Sequence, residues 1–221
     1  MTEPTTMETA TITMQHRLAP EDEARADFYA LLARLFAEAP DAGLLAAIAK
    51  APPLGAATLT EDAATPAGGL QSAWDALRAA SAAMDPEAAS QEYTDLFVGV
   101  GRSEVNLHAS HWLTGHMMER PLAELRGRLA AMGLGRRDEA VILEDHLAAC
   151  LETMRILVAG QGERRPAALA EQRDFFRDHI DGWVVRCCDA ITNCPVANYY
   201  RRVAQFTKYF LALERDSFAM E

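Results

Sequence analysis

The strongest constraint on this chain is the spacing of apolar residues in its C-terminal part. Leu143, Leu147, Cys150, Leu151, Met154 and Val158 form one series. Leu169, Phe176, Ile180, Trp183, Cys187 and Ile191 form a second, and Val196, Tyr199, Val203, Phe206, Phe210 and Leu213 a third. Apart from the adjacent Cys150 and Leu151, the steps are three, four or seven residues, the period of a helix with one buried side. No comparably long alternating run appears, so no sheet is expected. The pattern predicts an all-α fold, a single-domain helical bundle.

The rest of the chain reads the same way. Glu21-Asp22-Glu23 places acids where a helix dipole favours them, and Phe28, Leu31, Leu32, Leu35 and Phe36 follow at helical spacing up to the stop at Pro40. A short Ala/Leu helix is expected over 41–50. The Pro-, Gly-, Ala- and Thr-rich stretch 51–69 reads as a mobile loop. Trp74 and Leu77 belong to the next helix. Another starts at Asp85-Pro86, carries Tyr93, Leu96 and Phe97 and ends at Gly99. Residues 99–111 read as irregular, and a helix is expected from about Thr114 to Met132. Residues 1–20 read as a disordered tail, leaving one helical domain over 21–216 with a mobile loop near 51–69.

Half of the 221 residues are hydrophobic, enough for a sizeable core, and the net charge is −11. That balance argues against nucleic acid and anionic membrane as partners, since both favour basic patches. The first residues lack a basic region followed by an apolar run, and no stretch approaches ~18 uninterrupted apolar residues. The expectation is a cytoplasmic protein without membrane insertion, a monomer or weak dimer. Cys150, Cys187, Cys188 and Cys194 are too few and too clustered for a disulfide framework and read as reduced thiols.

Catalytic patterns are missing. None of the six histidines has Glu three positions before it, as a di-iron bundle requires. Neither lysine, Lys50 nor Lys208, follows Gly, so there is no phosphate loop, and a nucleotide-binding switch is the least supported function. Gly99-Val100-Gly101 has no strand before it. His108, His111 and His116 cluster in sequence without a nearby Cys, and Cys187-Cys188 with Cys194 lacks the spacing of a zinc site. Ser110 beside His108 and His111 is not a nucleophile by proximity alone. The chain is expected to be no enzyme and to require neither cofactor nor metal.

One segment is informative about binding. From Asp138 to Met154 there is no Lys or Arg, but there are Asp138, Glu139, Glu144, Asp145 and Glu152. Asp138, Asp145 and Glu152 are seven apart, which on a helix puts them on one face beside the apolar series. An apolar groove with a carboxylate rim suits a peptide with basic residues ahead of an apolar stretch. A solvated acidic face on a core helix is the alternative.

Four blocks, in order, resemble a known family. Glu92-Tyr93-Thr94-Asp95-Leu96-Phe97-Val98-Gly99 is similar to the Tyr-x-x-Leu-Phe block of the TorD/DmsD/NarJ chaperones, and Glu144-Asp145-His146-Leu147 to their Asp-His block. Gln172 through Phe175, Phe176, His179, Ile180 and Trp183 resembles their later Phe-x-x-x-His-x-x-x-Trp region. Tyr199-Tyr200, Phe206-Thr207 and Phe210 resemble the final helix. The likeness spans about residues 25–215.

The resemblance implies an all-helical chaperone that binds the twin-arginine signal peptide, or the N-terminal region, of an apo molybdenum-containing oxidoreductase until its cofactor is inserted, before export. A non-exported nitrate-reductase-type catalytic subunit is the alternative client. It also implies that Tyr93, Leu96 and Phe97 line a peptide site, with Asp145 and His146 at its edge, Ser110 in the central loop, and Leu143 and Glu144 alongside. Leu96 and Phe97 could equally be core, His146 could make a local hydrogen bond, and Trp183, Tyr199 and Tyr200 could be packing residues. One departure is visible. Several members carry Glu-Pro shortly before the Asp-His pair, where this chain has Ile142-Leu143 and lacks proline's constraint.

Overall fold

The computed structural model describes residues 18–54, 66–99, 101, 103–136 and 141–220. They form helices α1 (Pro20–Ala37), α2 (Ala42–Lys50), α3 (Pro66–Ala83), α4 (Pro86–Tyr93), α5 (Ala109–Thr114), α6 (Arg120–Ala131), α7 (Leu147–Ala159), α8 (Leu169–Phe176), α9 (Val184–Asn193) and α10 (Tyr199–Ala219). Among the described residues there is no β-strand, so the all-α reading holds. Local chemistry sets several helix starts. Asp41 accepts from Leu44 N at 2.6 Å, and Asp85 from Glu87 N and Ala88 N at 3.0 Å, both as N-caps. Proline occupies the first turn of α1, α4 and α6, where its missing N–H costs nothing.

The core forms where α1 lies along α7 and where α10 packs on α3 and α9. Tyr29, Leu32, Leu35 and Phe36 of α1 are fully buried, as are Leu147, Cys150, Leu151, Met154 and Leu157 of α7. Phe28 meets Trp74, Phe206 and Phe210 edge-on at 5.1–5.5 Å between ring centres, which locks α1, α3 and α10 together. Buried charge completes the joint at one end. Glu214 accepts from Arg25 through both oxygens, at 2.7 and 2.9 Å, and from the Tyr29 hydroxyl at 2.9 Å. Arg25 also reaches Gln172 of α8 at 3.1 Å.

At the other end, two family-like blocks act as helix caps. Glu92 is buried, and its carboxylate accepts from the backbone N–H groups of Asn198, Tyr199 and Tyr200 at 2.8–3.0 Å, capping α10. The Tyr93 hydroxyl donates to the carbonyls of Phe36 and Ala37, and Tyr200 to that of Leu35, so the last carbonyls of α1 are satisfied by side chains. Phe97 packs edge-on against Tyr93 and Tyr200. Burial raises the Tyr93 hydroxyl to about 12, with a smaller contribution from Glu38.

Several sequence expectations need correction. The helix expected over Thr114–Met132 is shortened to α6, because α5 ends at Thr114, Gly115 is left-handed (φ 83°) and Pro121 lies in the first turn of α6. Residues 99–111 are not wholly irregular, since α5 begins at Ala109. The second apolar series is interrupted. α8 widens into a π-helical turn at Arg177–Asp181 before α9, so Trp183 precedes α9 instead of continuing one long helix. The first described helix begins at Pro20, α3 already begins at Pro66, and α10 runs on to Ala219. The readings for 1–17 and 55–65 lie outside the described residues.

Candidate functional site

The Asp-His block precedes α7 rather than lying on it. Residues 145–147 pair with 107–109 as a short antiparallel bridge, in which Ala109 N donates to Asp145 O at 2.9 Å and Leu147 N to Leu107 O at 2.7 Å. Val105 N in turn donates to Leu96 O at 2.9 Å, which stitches the first block to the same loop. Side chains then fix two helix starts at once. Asp145 Oδ2 accepts from Ser110 N at 3.0 Å and from Ser110 Oγ at 2.6 Å, an N-cap supplied to α5 from a distant part of the chain. His146 caps α7, its Nδ1 accepting from Ala148 N at 3.2 Å.

This geometry overturns the acidic stripe as a helical face. Asp145 is fully buried, because the bridge turns its side chain toward Ser110, and it offers no carboxylate to an open rim. Leu96 and Ser110 are likewise fully buried, and His146 nearly so. Asp138 and Glu139 lie outside the described residues. Tyr93 and Phe97 are half-buried and engaged with α1 and α10. Of the eight residues expected at a peptide site, the structure gathers Ser110, Asp145 and His146 into one cap assembly. Leu143 and Glu144 fall elsewhere, on an open groove.

That groove, of about 410 Å³, runs between α6, the segment before α7, and α7 itself. Its apolar lining includes Leu129, Leu134, Ile142, Leu143, Ala149 and Ile156. Glu144 and Glu152 supply its carboxylates. Arg126 Nη2 donates to Glu144 Oε2 at 2.9 Å, and Arg155 grips both oxygens of Glu152 at 2.7 and 2.8 Å. Burial works against ionisation of Glu144, but the Arg126 guanidinium overrides it and holds the carboxyl below its ordinary range. The sequence reading missed the α6 wall. The spacing of Leu122, Leu125 and Leu129, all buried, is the signal that could have found it.

A larger cavity, of about 590 Å³, opens between α3, α9 and α10. Arg202, Lys208 and Arg215 line it with no carboxylate among its lining residues. Two of these cations are paired, Lys208 with Asp189 and Arg215 with Asp181, just as the glutamates of the α6–α7 groove, which Arg136 also lines, are paired with Arg126 and Arg155.

Around the cap assembly, His108 and His146 stack edge-on at 4.9 Å. Burial, with a smaller push from His108, lowers His146 to about 3. Burial also lowers His108, the charge of Asp145 opposing and that of His111 assisting. Burial and then Asp145 raise the Cys150 thiol, so it is no nucleophile near neutrality. A histidine with a depressed folded-state value favours the native state above its unfolded value and loses that preference as pH falls. The window for His146 therefore runs from ~6.5 down toward about 3. Between pH 7 and 5 it should remove about 2 kcal/mol of stability. His146→Asn keeps an acceptor for Ala148 N and should flatten that slope, as read by urea unfolding at the two pH values.

Among the described residues, no group of three His, Cys, Asp or Glu side chains could hold a metal ion, and no helix is long and apolar enough to cross a membrane. A search of curated proteins returns no match. The family model described as nitrate reductase delta subunit matches residues 63–189, more than half of the chain. That span contains the first block, the central loop with Ser110, the Asp-His block and the third block. The chain therefore belongs to the nitrate reductase delta subunit family, the molybdoenzyme maturation chaperones that its motifs resemble.

Proposed function

We propose that this protein holds the N-terminal region of a molybdopterin-containing oxidoreductase in the α6–α7 groove while the cofactor is inserted. A twin-arginine signal peptide, with arginines ahead of an apolar stretch, is the guest that suits it. The observation that carries this reading is the juxtaposition of Leu129, Leu134, Ile142, Leu143 and Ile156 with the Glu144 and Glu152 carboxylates on one open surface. Each seated apolar side chain is worth ~1.5–3 kcal/mol. Each exposed carboxylate–guanidinium contact is worth ~1 kcal/mol or less. The apolar floor thus supplies affinity and the carboxylates supply direction, a division that allows release after cofactor loading. On this reading Ser110, Asp145 and His146 fix the start of α7, Leu96, Tyr93 and Phe97 hold the central loop and the ends of α1 and α10, and none of the six touches the guest. The protein acts in the cytoplasm, without a catalytic step or a cofactor of its own, before twin-arginine export.

Titration with a peptide carrying two arginines and then an apolar run tests the reading. Leu143→Glu should weaken binding ~10-fold or more, and Glu144→Gln ~2–5-fold. Asp145→Ala should lower the unfolding temperature by freeing Ser110 while leaving affinity per folded molecule unchanged. Unaltered binding by Leu143→Glu would remove the groove from the account.

A second reading is favoured by the family description itself. The client is then the catalytic subunit of a nitrate reductase that is not exported, and the guest is its basic or apolar N-terminus without a cleaved leader. Capture of the client from the native cell separates the two, because the presence or absence of a twin-arginine leader on it decides.

A further inference from the structure

Arg126 carries an inference that rests on the groove reading and deepens it. It projects from α6, its side chain is half-exposed, and it reaches across to Glu144, whose side chain is only 13 % exposed. The pair joins residues 18 apart in sequence, so it ties the α6 wall to the segment that leads into α7. Charge near the groove is matched within the chain. Glu144 and Asp145 carry the negative side, Arg126 acts on both, and Arg136 also acts on Glu144. Beneath the pair, Asp145 keeps its buried Oδ1 without a hydrogen-bond partner. The groove therefore exerts little net pull on a distant cation. Arg126 holds Oε2 of Glu144, and a guest arginine that takes that oxygen displaces the guanidinium already there.

We propose that Arg126 is a resident stand-in for the guest's arginine, holding Glu144 until a guest guanidinium exchanges for it. Exchange conserves the number of carboxylate–guanidinium contacts, so it adds little affinity. A guest without a guanidinium cannot replace the contact it has to break, so it binds more weakly than an arginine guest by about that one contact, with or without Arg126. The empty groove also keeps its walls tied together instead of presenting an unpaired, largely buried carboxylate. Arg155 differs. It pairs with Glu152 within the same helix and ties no second wall to α7.

The test compares wild type with Arg126→Gln and Arg126→Lys, using a peptide with two arginines before an apolar run and a matched peptide with two glutamines. Arg126→Gln should tighten the arginine peptide ~2–5-fold and steepen its salt dependence. It should also bring the glutamine peptide no closer to the arginine peptide in affinity. Arg126→Lys should fall between, since a point charge replaces the planar fork less well. If the wild type binds the arginine peptide and Arg126→Gln leaves it unchanged or weakens it, Arg126 is no stand-in and the inference is overturned while the groove reading stands. If the wild type binds neither peptide, both are overturned.

Discussion

Replacing Glu92 with alanine is expected to lower stability by roughly 3–5 kcal/mol, among the largest effects of any single change in the chain. Glu92 is buried at the end of α4, and its two oxygens satisfy three consecutive backbone N–H groups at the start of α10. Those N–H groups are the ones a helix start leaves without intrahelical partners. Alanine leaves all three unpaired, and although Asn198 is exposed, water has little access to Tyr199 and Tyr200, both nearly inaccessible. Glu92→Gln keeps one acceptor and should cost less than Glu92→Ala. Urea unfolding of the purified variants measures both. A loss under about 1 kcal/mol for alanine would mean that α10 is held by packing alone.

Glu214→Ala should cost a comparable amount, about 3 kcal/mol or more, for a different reason. Glu214 is 2 % exposed and partners Arg25 and Tyr29, joining α10 to α1 and, through Gln172, to α8. Burial disfavours the Arg25 charge, and the Glu214 carboxylate more than offsets that, holding the guanidinium above its ordinary range. Removing the carboxylate takes from the partly buried cation its two-oxygen partner, leaving it Asp22 and Gln172, and leaves a fully buried hydroxyl without its acceptor. Replacing both ends with apolar residues, Arg25→Met with Glu214→Leu, should recover most of the loss, since apolar packing substitutes well for a buried pair. If the double variant is as unstable as Glu214→Ala, the cost lies in lost shape rather than in the orphaned charge.

The sequence carried the fold well where burial follows period. Leu147 to Val158, Phe175 to Ile191 and Tyr199 to Phe210 sit in the core as their spacing requires. Boundaries were less legible where a single backbone position overrides the period. Gly115 at positive φ ends α5 and delays the start of one expected helix to Arg120, and the wide turn at Arg177–Asp181 breaks another. The binding residues were harder. A seven-residue repeat of acids implies one face only if the segment is a helix, and residues 144 and 145 lie in a turn held by the bridge to 107–109. That pairing is made across about 35 residues, and nothing local announces it. Sequence distance also hides the partner of Asp145, Ser110, 35 residues away, and the partner of Glu144, Arg126, 18 residues away. The stretch 138–154 lacks cations in sequence, but α6 brings one to it in space.

Photo-crosslinking tests the central claim most directly. A twin-arginine peptide carrying a photoreactive group in its apolar part is bound to the intact chain, irradiated, and the adducts are mapped by mass spectrometry. Adducts on Leu129, Leu134, Ile142, Leu143 or Ile156, reduced by Leu143→Glu, are the predicted result. Adducts concentrated in the cavity of Arg202, Lys208 and Arg215, or spread evenly over the surface, would contradict it.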